Sequence, residues 1–186
     1  TWTGARMLRN VFFKTSLKGM SFAGLALEGC QFSSADLGGA DFSGIVLRQC
    51  NFQAARLDGA KFAKAVAPSS IFCEASGTGC DFSGAQLRQA LFTGATLPQA
   101  DFSGCDLYQT HFAGAKLRGA NFTGAELTYA DFRHADLGTA DLRRATLMRT
   151  VLHGANTEDA QMTDRARAIE SDPELEKSER WQPLVA

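Results

Sequence analysis

Cysteine, histidine and aspartate are the residues of this chain that could bind a metal, form a disulfide or act in catalysis. The five cysteines and three histidines are Cys30, Cys50, Cys73, Cys80, Cys105, His111, His134 and His153. An odd number of cysteines with no CxxC pair and no Cys/His cluster argues against a disulfide framework and a structural zinc site. No GxSxG, phosphate-binding loop, HExxH or nucleophilic Cys/His arrangement occurs. We therefore predict reduced thiols, no metal, no cofactor and no catalytic residues, so the protein is not an enzyme.

Composition excludes further classes of function. The 186 residues are 45% hydrophobic, and 19 Lys+Arg against 20 Asp+Glu give a net charge of −1. No apolar run approaches the roughly 20 residues that span a bilayer, so no membrane contact is predicted. A chain without a basic surplus is not expected to bind nucleic acid directly. The chain starts at Thr1 rather than Met, which suggests a fragment of a longer protein.

A five-residue repeat positions almost all of these side chains. Phe occurs every ten residues from Phe12 to Phe132, and Leu usually lies halfway between. A small residue precedes each Phe or Leu by two positions, a polar residue precedes it by one, and 15 of the 18 glycines follow it by two. A period of five fits neither an α-helix nor a flat strand, so the chain must turn at regular intervals. The glycines permit such tight turns.

These repeats resemble the pentapeptide-repeat family. The resemblance rests on segments such as Ala40-Asp41-Phe42-Ser43-Gly44 and covers about residues 2–162. It implies an all-β fold, a right-handed quadrilateral β-helix of about eight coils, in which residues 20 apart stack about 4.8 Å from each other. Phe would then line two opposite sides and Leu the other two. We predict a solenoid over residues 1–162 and a helical cap with a tail over 163–186.

The pattern weakens at residues 65–79. Ala67 and Gly77 replace the expected Leu, and Pro68 removes a backbone donor. Because Pro fits poorly in a central ladder, we expect a local irregularity there, such as a bulge. It is either drift within the array or a shaped contact point.

The C-terminal segment has helix signals. Thr163-Asp164 could begin a short helix over Arg165–Glu170, and Pro173 is expected near the start of a second one. This segment would cap the open end of the solenoid. The alternative is a contact with a partner or a second copy of the chain through Trp181, Leu184 and Val185.

Outward positions supply the candidate binding residues. Val46, Val66, Ile71 and Leu91 form a candidate exposed apolar patch, and such patches often mark interfaces. The alternative is scattered surface hydrophobes. A separate acidic column comprises Asp41, Asp81, Asp101 and Asp141, and Lys61 interrupts it.

The histidines and two of the cysteines are open to a functional interpretation at this stage. The three histidines fall on one side of successive coils but at different lateral positions, so they are interpreted as surface residues rather than metal ligands. Cys30 and Cys50 would stack and could form a disulfide. Packing of small apolar thiols is the favoured interpretation.

Two functions compete. The first is a non-enzymatic scaffold or adaptor for an unidentified protein partner, and the closing Arg180-Trp181-Gln182-Pro183 resembles pentapeptide-repeat parts of type VI secretion-associated proteins. The second is a DNA mimic that binds DNA gyrase, as in the quinolone-resistance members of the family, through the acidic column. The resemblance places the protein in the bacterial cytoplasm, or outside the cell after type VI secretion.

Overall fold

A computed structural model describes residues 4–179, except for the side chain of Leu175. The chain turns every five residues, and parallel bridges join positions 20 residues apart from Arg6↔Ala26 to Asp141↔Gln161. Most bridges are single residues. The named strands are β1 (Arg6–Leu8), β2 (Ala26–Glu28), β3 (Val46–Arg48), β4 (Asp141–Leu142) and β5 (Gln161–Met162). The predicted right-handed, four-sided β-helix of about eight coils is confirmed.

Four outward columns define the faces of the solenoid. Face 1 is the column Arg6, Ala26, Val46, Val66, Gln86, Asp106, Glu126 and Thr146. Face 2 is Val11, Gln31, Asn51, Ile71, Leu91, His111, Asp131 and Val151. Face 3 is Ser16, Asp36, Arg56, Ser76, Thr96, Lys116, Asp136 and Asn156. Face 4 is Ser21, Asp41, Lys61, Asp81, Asp101, Asn121, Asp141 and Gln161.

Each corner needs a residue in the left-handed backbone region, two positions after the Phe or Leu. The 15 glycines predicted for this position have φ between 61° and 82°. Other residues at the same position adopt it too, for example Ala54 at φ 53°. Aspartates support the turns, because the Asp41 carboxylate accepts the N–H of Ser43 at 2.9 Å. This bond ties the polar residue of the repeat to the turn that follows it.

Two ladders of phenylalanine fill the interior. Within each ladder, rings 20 residues apart stack with centroids 4.3 to 5.0 Å apart. The two ladders belong to faces 2 and 4 and meet edge to face, with centroids 5.5 to 5.9 Å apart. Every Phe from Phe32 to Phe132 in these ladders is at most 1% exposed. Aromatic rings prefer both geometries, so the ladders bind each coil to the next.

Where a polar residue replaces the small inward residue of the repeat, its side chain donates a hydrogen bond to a backbone carbonyl of the preceding coil. The hydroxyl of Ser70 donates to the Leu47 carbonyl at 2.8 Å, and the hydroxyl of Thr110 donates to the Leu87 carbonyl at 2.9 Å. The Cys105 thiol repeats the pattern. No buried side-chain nitrogen or oxygen in the described part lacks a partner. All five cysteines are free, so the Cys30–Cys50 disulfide alternative does not hold.

The bulge predicted for residues 65–79 is absent, and the irregularity is limited to the corner that follows Gly77, which is a bend rather than a hydrogen-bonded turn. The ladder continues through Ala67, whose N–H donates to the Gln86 carbonyl at 2.8 Å. Pro68 fits because it follows the buried residue, at a position whose N–H takes no part in the ladder. At Gly77 the backbone lies closer to the preceding coil, since a Cβ there would be 2.6 Å from the Leu57 carbonyl carbon.

The last turn of the chain departs from the repeat. Val151 pairs with Ile169, an offset of 18 residues rather than 20. The predicted helix over 165–170 is a shorter 3₁₀ helix at Arg165–Arg167, and α1 (Pro173–Glu179) begins at the predicted proline. Trp181, Leu184 and Val185 lie outside the described residues. No helix in the described part is long and apolar enough to cross a membrane.

Candidate interaction surface

The predicted apolar patch consists of two stacked pairs on adjacent faces. Val46 pairs with Val66 on face 1, and Ile71 pairs with Leu91 on face 2. All four side chains are half-buried rather than exposed, because outward side chains of successive coils stack closely and shield one another. The expectation of an exposed patch is therefore too strong. A role in binding stays a prediction.

Next to this region, on the turns that follow face 1, lies a strip of side chains that was not predicted from the sequence. This tyrosine strip comprises Arg88, Tyr108, Tyr129 and Met148. The Arg88 guanidinium lies 4.3 Å from the Tyr108 ring centroid, and Tyr108 meets Tyr129 edge to face at 5.8 Å. Tyr129 and Met148 are 45% and 41% exposed. The signal was present in the sequence, because the only two tyrosines are 21 residues apart and must lie in adjacent coils.

An open cleft joins the tyrosine strip to face 2. Its volume is about 340 Å³, and Gln89, Gln109, His111 and Tyr129 line it. The two glutamine side chains hydrogen-bond to each other at 3.1 Å. Leu91 is two residues from Gln89, so the strip and the Ile71–Leu91 pair flank one corner of the solenoid. This corner presents aromatic, aliphatic and amide groups, and the hydrogen bonds between successive coils fix the backbone beneath them.

Face 4 carries the acidic column that the sequence predicted, but its carboxylates are partly used by the chain itself. Asp41, Asp81, Asp101 and Asp141 each accept a backbone N–H two residues ahead, at 2.8 to 3.0 Å. All four are half-buried, and Lys61 interrupts the column. This arrangement stabilises turns and leaves a weaker outward negative charge than the count of aspartates suggests.

Arginine neutralises the far end of the column. The Arg143 guanidinium lies 2.6 Å from the Asp141 carboxylate and lowers the pKa of that carboxyl to about 2. This ion pair reduces the outward negative charge at that end of the column.

The three histidines differ in their solvent exposure. His111 and His134 are exposed as predicted, but the interpretation of His153 as a surface residue is wrong, because its side chain is buried. Residues 171–179 fold back over it and bring Glu179 to within 3.2 Å of its Nε2. The spacing of the histidines does not reveal this carboxylate, because Glu179 lies 26 residues after His153 in the chain.

Sequence profiles of known families match most of the repeat array. The profile described as a pentapeptide repeat region matches residues 25–102 and 47–122. The profile of pentapeptide repeats in eight copies matches residues 105–144 and 125–164. The chain belongs to the pentapeptide-repeat family. Neither profile of the family describes an enzyme, and no enzymatic family is indicated.

Solved structures similar to this pentapeptide-repeat protein span most of the chain. HetL, a pentapeptide-repeat protein involved in heterocyst differentiation regulation from the cyanobacterium Nostoc sp. strain PCC 7120, is 25% identical, with 89% of this chain and 90% of HetL covered and a TM-score of 0.42. A trypsin-treated variant of QnrB1, a plasmid-mediated fluoroquinolone resistance protein, is 20% identical, with coverages of 88% and 90% and a TM-score of 0.43. A pentapeptide-repeat protein from the thylakoid lumen of Arabidopsis thaliana is 26% identical, with 72% of both chains covered and a TM-score of 0.41. Among curated proteins none matches the chain.

Proposed function

We propose that this pentapeptide-repeat protein is a non-enzymatic scaffold that binds a protein partner through the corner between faces 1 and 2. The tyrosine strip carries the proposal. Tyr and Arg are enriched among the residues that dominate protein interfaces, because they combine large apolar area with a polar end. Here they contact one another across successive coils, with Arg88 over the Tyr108 ring and Tyr108 edge to face with Tyr129.

The side chains of the tyrosine strip are already held in place before a partner binds, which supports the same surface. The Arg88 guanidinium is held by the Asp106 carboxylate at 3.2 Å as well as by the Tyr108 ring. Side chains already fixed in this way lose less rotamer freedom when a partner binds. The half-buried Ile71–Leu91 pair beside the cleft adds apolar surface that a partner could cover.

A pull-down from the native host tests the proposal. The variant Tyr108→Ala/Tyr129→Ala removes the aromatic surface and leaves the inward core residues untouched. A matched control, Thr96→Ala/Lys116→Ala, truncates outward residues on face 3. We expect the strip variant to weaken recovery of the partner at least tenfold, the size typical of hot-spot truncation, and the control to behave as wild type.

A second variant extends the test to face 2. Ile71→Asp/Leu91→Asp should also weaken the pull-down while far-UV circular dichroism stays that of the wild type. Full recovery of the partner by both the strip variant and this variant would refute the assignment of the corner as the binding surface.

The DNA-mimic alternative receives less support from the charge distribution. The carboxylates of face 4 accept hydrogen bonds from turn N–H groups, and Lys61 and Arg143 reduce the negative charge of this face. A DNA gyrase supercoiling assay tests this alternative. Inhibition of gyrase, lost in Asp81→Asn/Asp101→Asn, would favour it over the scaffold.

The association with type VI secretion is a separate proposal, which concerns the gene and its neighbours rather than the binding surface of the protein. It predicts an upstream domain in the full gene and secretion components among its neighbours. A gene that encodes the solenoid alone, with no secretion genes nearby, would end that proposal and leave the scaffold proposal unaffected.

A further inference from the structure

Three potential metal ligands from distant parts of the chain converge at the C-terminal end of the solenoid. They are His134, His153 and Glu179, and their donor atoms all lie within 4.8 Å of one another. Two of the residues belong to successive coils on face 2, and Glu179 ends α1. The Glu179 Oε2 lies 3.2 Å from His153 Nε2 and 3.4 Å from His134 Nε2.

The two separations from Glu179 Oε2 match a tetrahedral coordination sphere, whereas separations within the cluster reach 4.8 Å, so the exposed His134 ring has to move towards His153 when an ion binds. Zinc binds imidazole nitrogen and carboxylate oxygen at about 2.0–2.1 Å, so neighbouring donors in a tetrahedron are about 3.3 Å apart. We propose that His134 Nε2, His153 Nε2 and Glu179 Oε2 form a binding site for a divalent transition-metal ion of the zinc type.

The surroundings leave access for an ion and for a further ligand. An open cleft of about 270 Å³ is lined by His134, Gly154, Glu176 and Glu179. Gly154 is needed beside the site, because a Cβ there would collide with the His134 imidazole. The cleft has room for a water molecule as the fourth ligand, the arrangement of zinc sites with three protein ligands.

The charges at the site suit a cation. Glu179 supplies a carboxylate that faces both imidazole rings. Arg133 is a cation that interacts electrostatically with Glu179, but its guanidinium is held by the Asp131 carboxylate through contacts of 2.7 to 3.1 Å. Arg133 is therefore already neutralised by another residue.

Binding has a defined consequence for His153. The Asp172 N–H donates to His153 Nδ1 at 3.1 Å, so without metal the ring carries its proton on Nε2 and donates it to Glu179. To bind an ion, Nε2 must release its proton to solvent, and Nδ1 takes up a proton in exchange. The Nδ1–H then faces the Asp172 N–H, so this N–H has to turn away from the ring. The ion thus replaces two hydrogen bonds of the C-terminal segment with coordination bonds that join α1 to two coils.

Calorimetric titration of the whole, tag-free protein with Zn²⁺ tests the site. Wild-type protein should bind one ion. His134→Ala and Glu179→Gln alter side chains that are half-exposed, so the fold should survive, and each should weaken binding at least about tenfold. His111→Ala removes a histidine outside the cluster as the matched control and should bind like wild type.

Nitrogen-15 NMR of the histidine rings provides a second readout. Saturating Zn²⁺ should switch His153 from the Nε2–H to the Nδ1–H form and shift the Asp172 amide signal. Equal Zn²⁺ affinity in all four proteins, or a His153 ring that keeps its Nε2–H form at saturation, would overturn the proposal and leave the cluster as a hydrogen-bonded clasp.

Discussion

Replacing one ring in the middle of a phenylalanine ladder should cost more stability than replacing an equally buried ring at its end. Phe82 stacks on Phe62 and Phe102 at 4.8 and 4.9 Å and meets Phe72 and Phe92 edge to face, both at 5.6 Å. It is fully buried. The Phe82→Ala variant therefore removes aromatic contacts on both sides of its coil.

Phe132 supplies the matched control. It is also fully buried, but its only aromatic partners in the described part are Phe112 and Phe122, and Leu152 occupies the next stacking position. A buried Phe→Ala change costs about 3–5 kcal/mol. Each aromatic pair adds about 0.5–1.5 kcal/mol beyond burial, so Phe82→Ala should cost about 1–3 kcal/mol more than Phe132→Ala.

Urea denaturation followed by far-UV circular dichroism measures the difference. If either alanine variant fails to fold, Phe82→Leu and Phe132→Leu keep most of the volume and still differ in aromatic contacts. A free energy of unfolding reduced equally by both changes, or more by the change at position 132, would refute the assignment of stacking energy to the ladders.

Three further predictions follow from side chains elsewhere in the solenoid. Burial raises the pKa of the Cys80 thiol to about 12 and also raises that of Cys73, but Cys73 is half-buried whereas the other four cysteines are buried, so iodoacetamide at pH 8 should label Cys73 first, as peptide mass spectrometry would show. Ala54→Gly should stabilise the protein by up to about 1 kcal/mol, because Ala54 has φ 53°, whereas Ala55→Gly should destabilise it, because Ala55 is buried; urea denaturation measures both signs. An arginine lowers the pKa of Asp141 from 3.8 to about 2, so this carboxylate stabilises the fold above about pH 4 and the benefit is lost as pH falls towards 2. The stability of Asp141→Asn should therefore depend less on pH over that range.

Most of the fold can be predicted from the repeat in the sequence. A Phe or Leu at every fifth position and glycine two residues later specify both the interior and the corners. The structure confirms the stacking of residues 20 apart and the placement of Phe on two sides. Such regularity is readable because each repeat contacts only its neighbours.

The wrong predictions concern features that depend on three-dimensional contacts rather than on the repeat. Pro68 was expected to cause a local irregularity such as a bulge, but its position donates no ladder hydrogen bond. The half-burial of Leu91 and its neighbours depends on side chains stacked above and below, which hydrophobicity alone does not show. The cluster of His134, His153 and Glu179 depends on how the non-repeating segment folds back, and no periodicity encodes that path.

Oxidative footprinting of the protein in complex with its host partner tests the central claim most directly. Tyr129 and Met148 in the strip are 45% and 41% exposed, and Met20 near the other end is a reference at 44%. The account predicts that the partner protects Tyr129 and Met148 from hydroxyl radicals while Met20 stays as reactive as in the free protein. Undiminished oxidation of the strip in a saturated complex would contradict the claim that this corner is the binding surface.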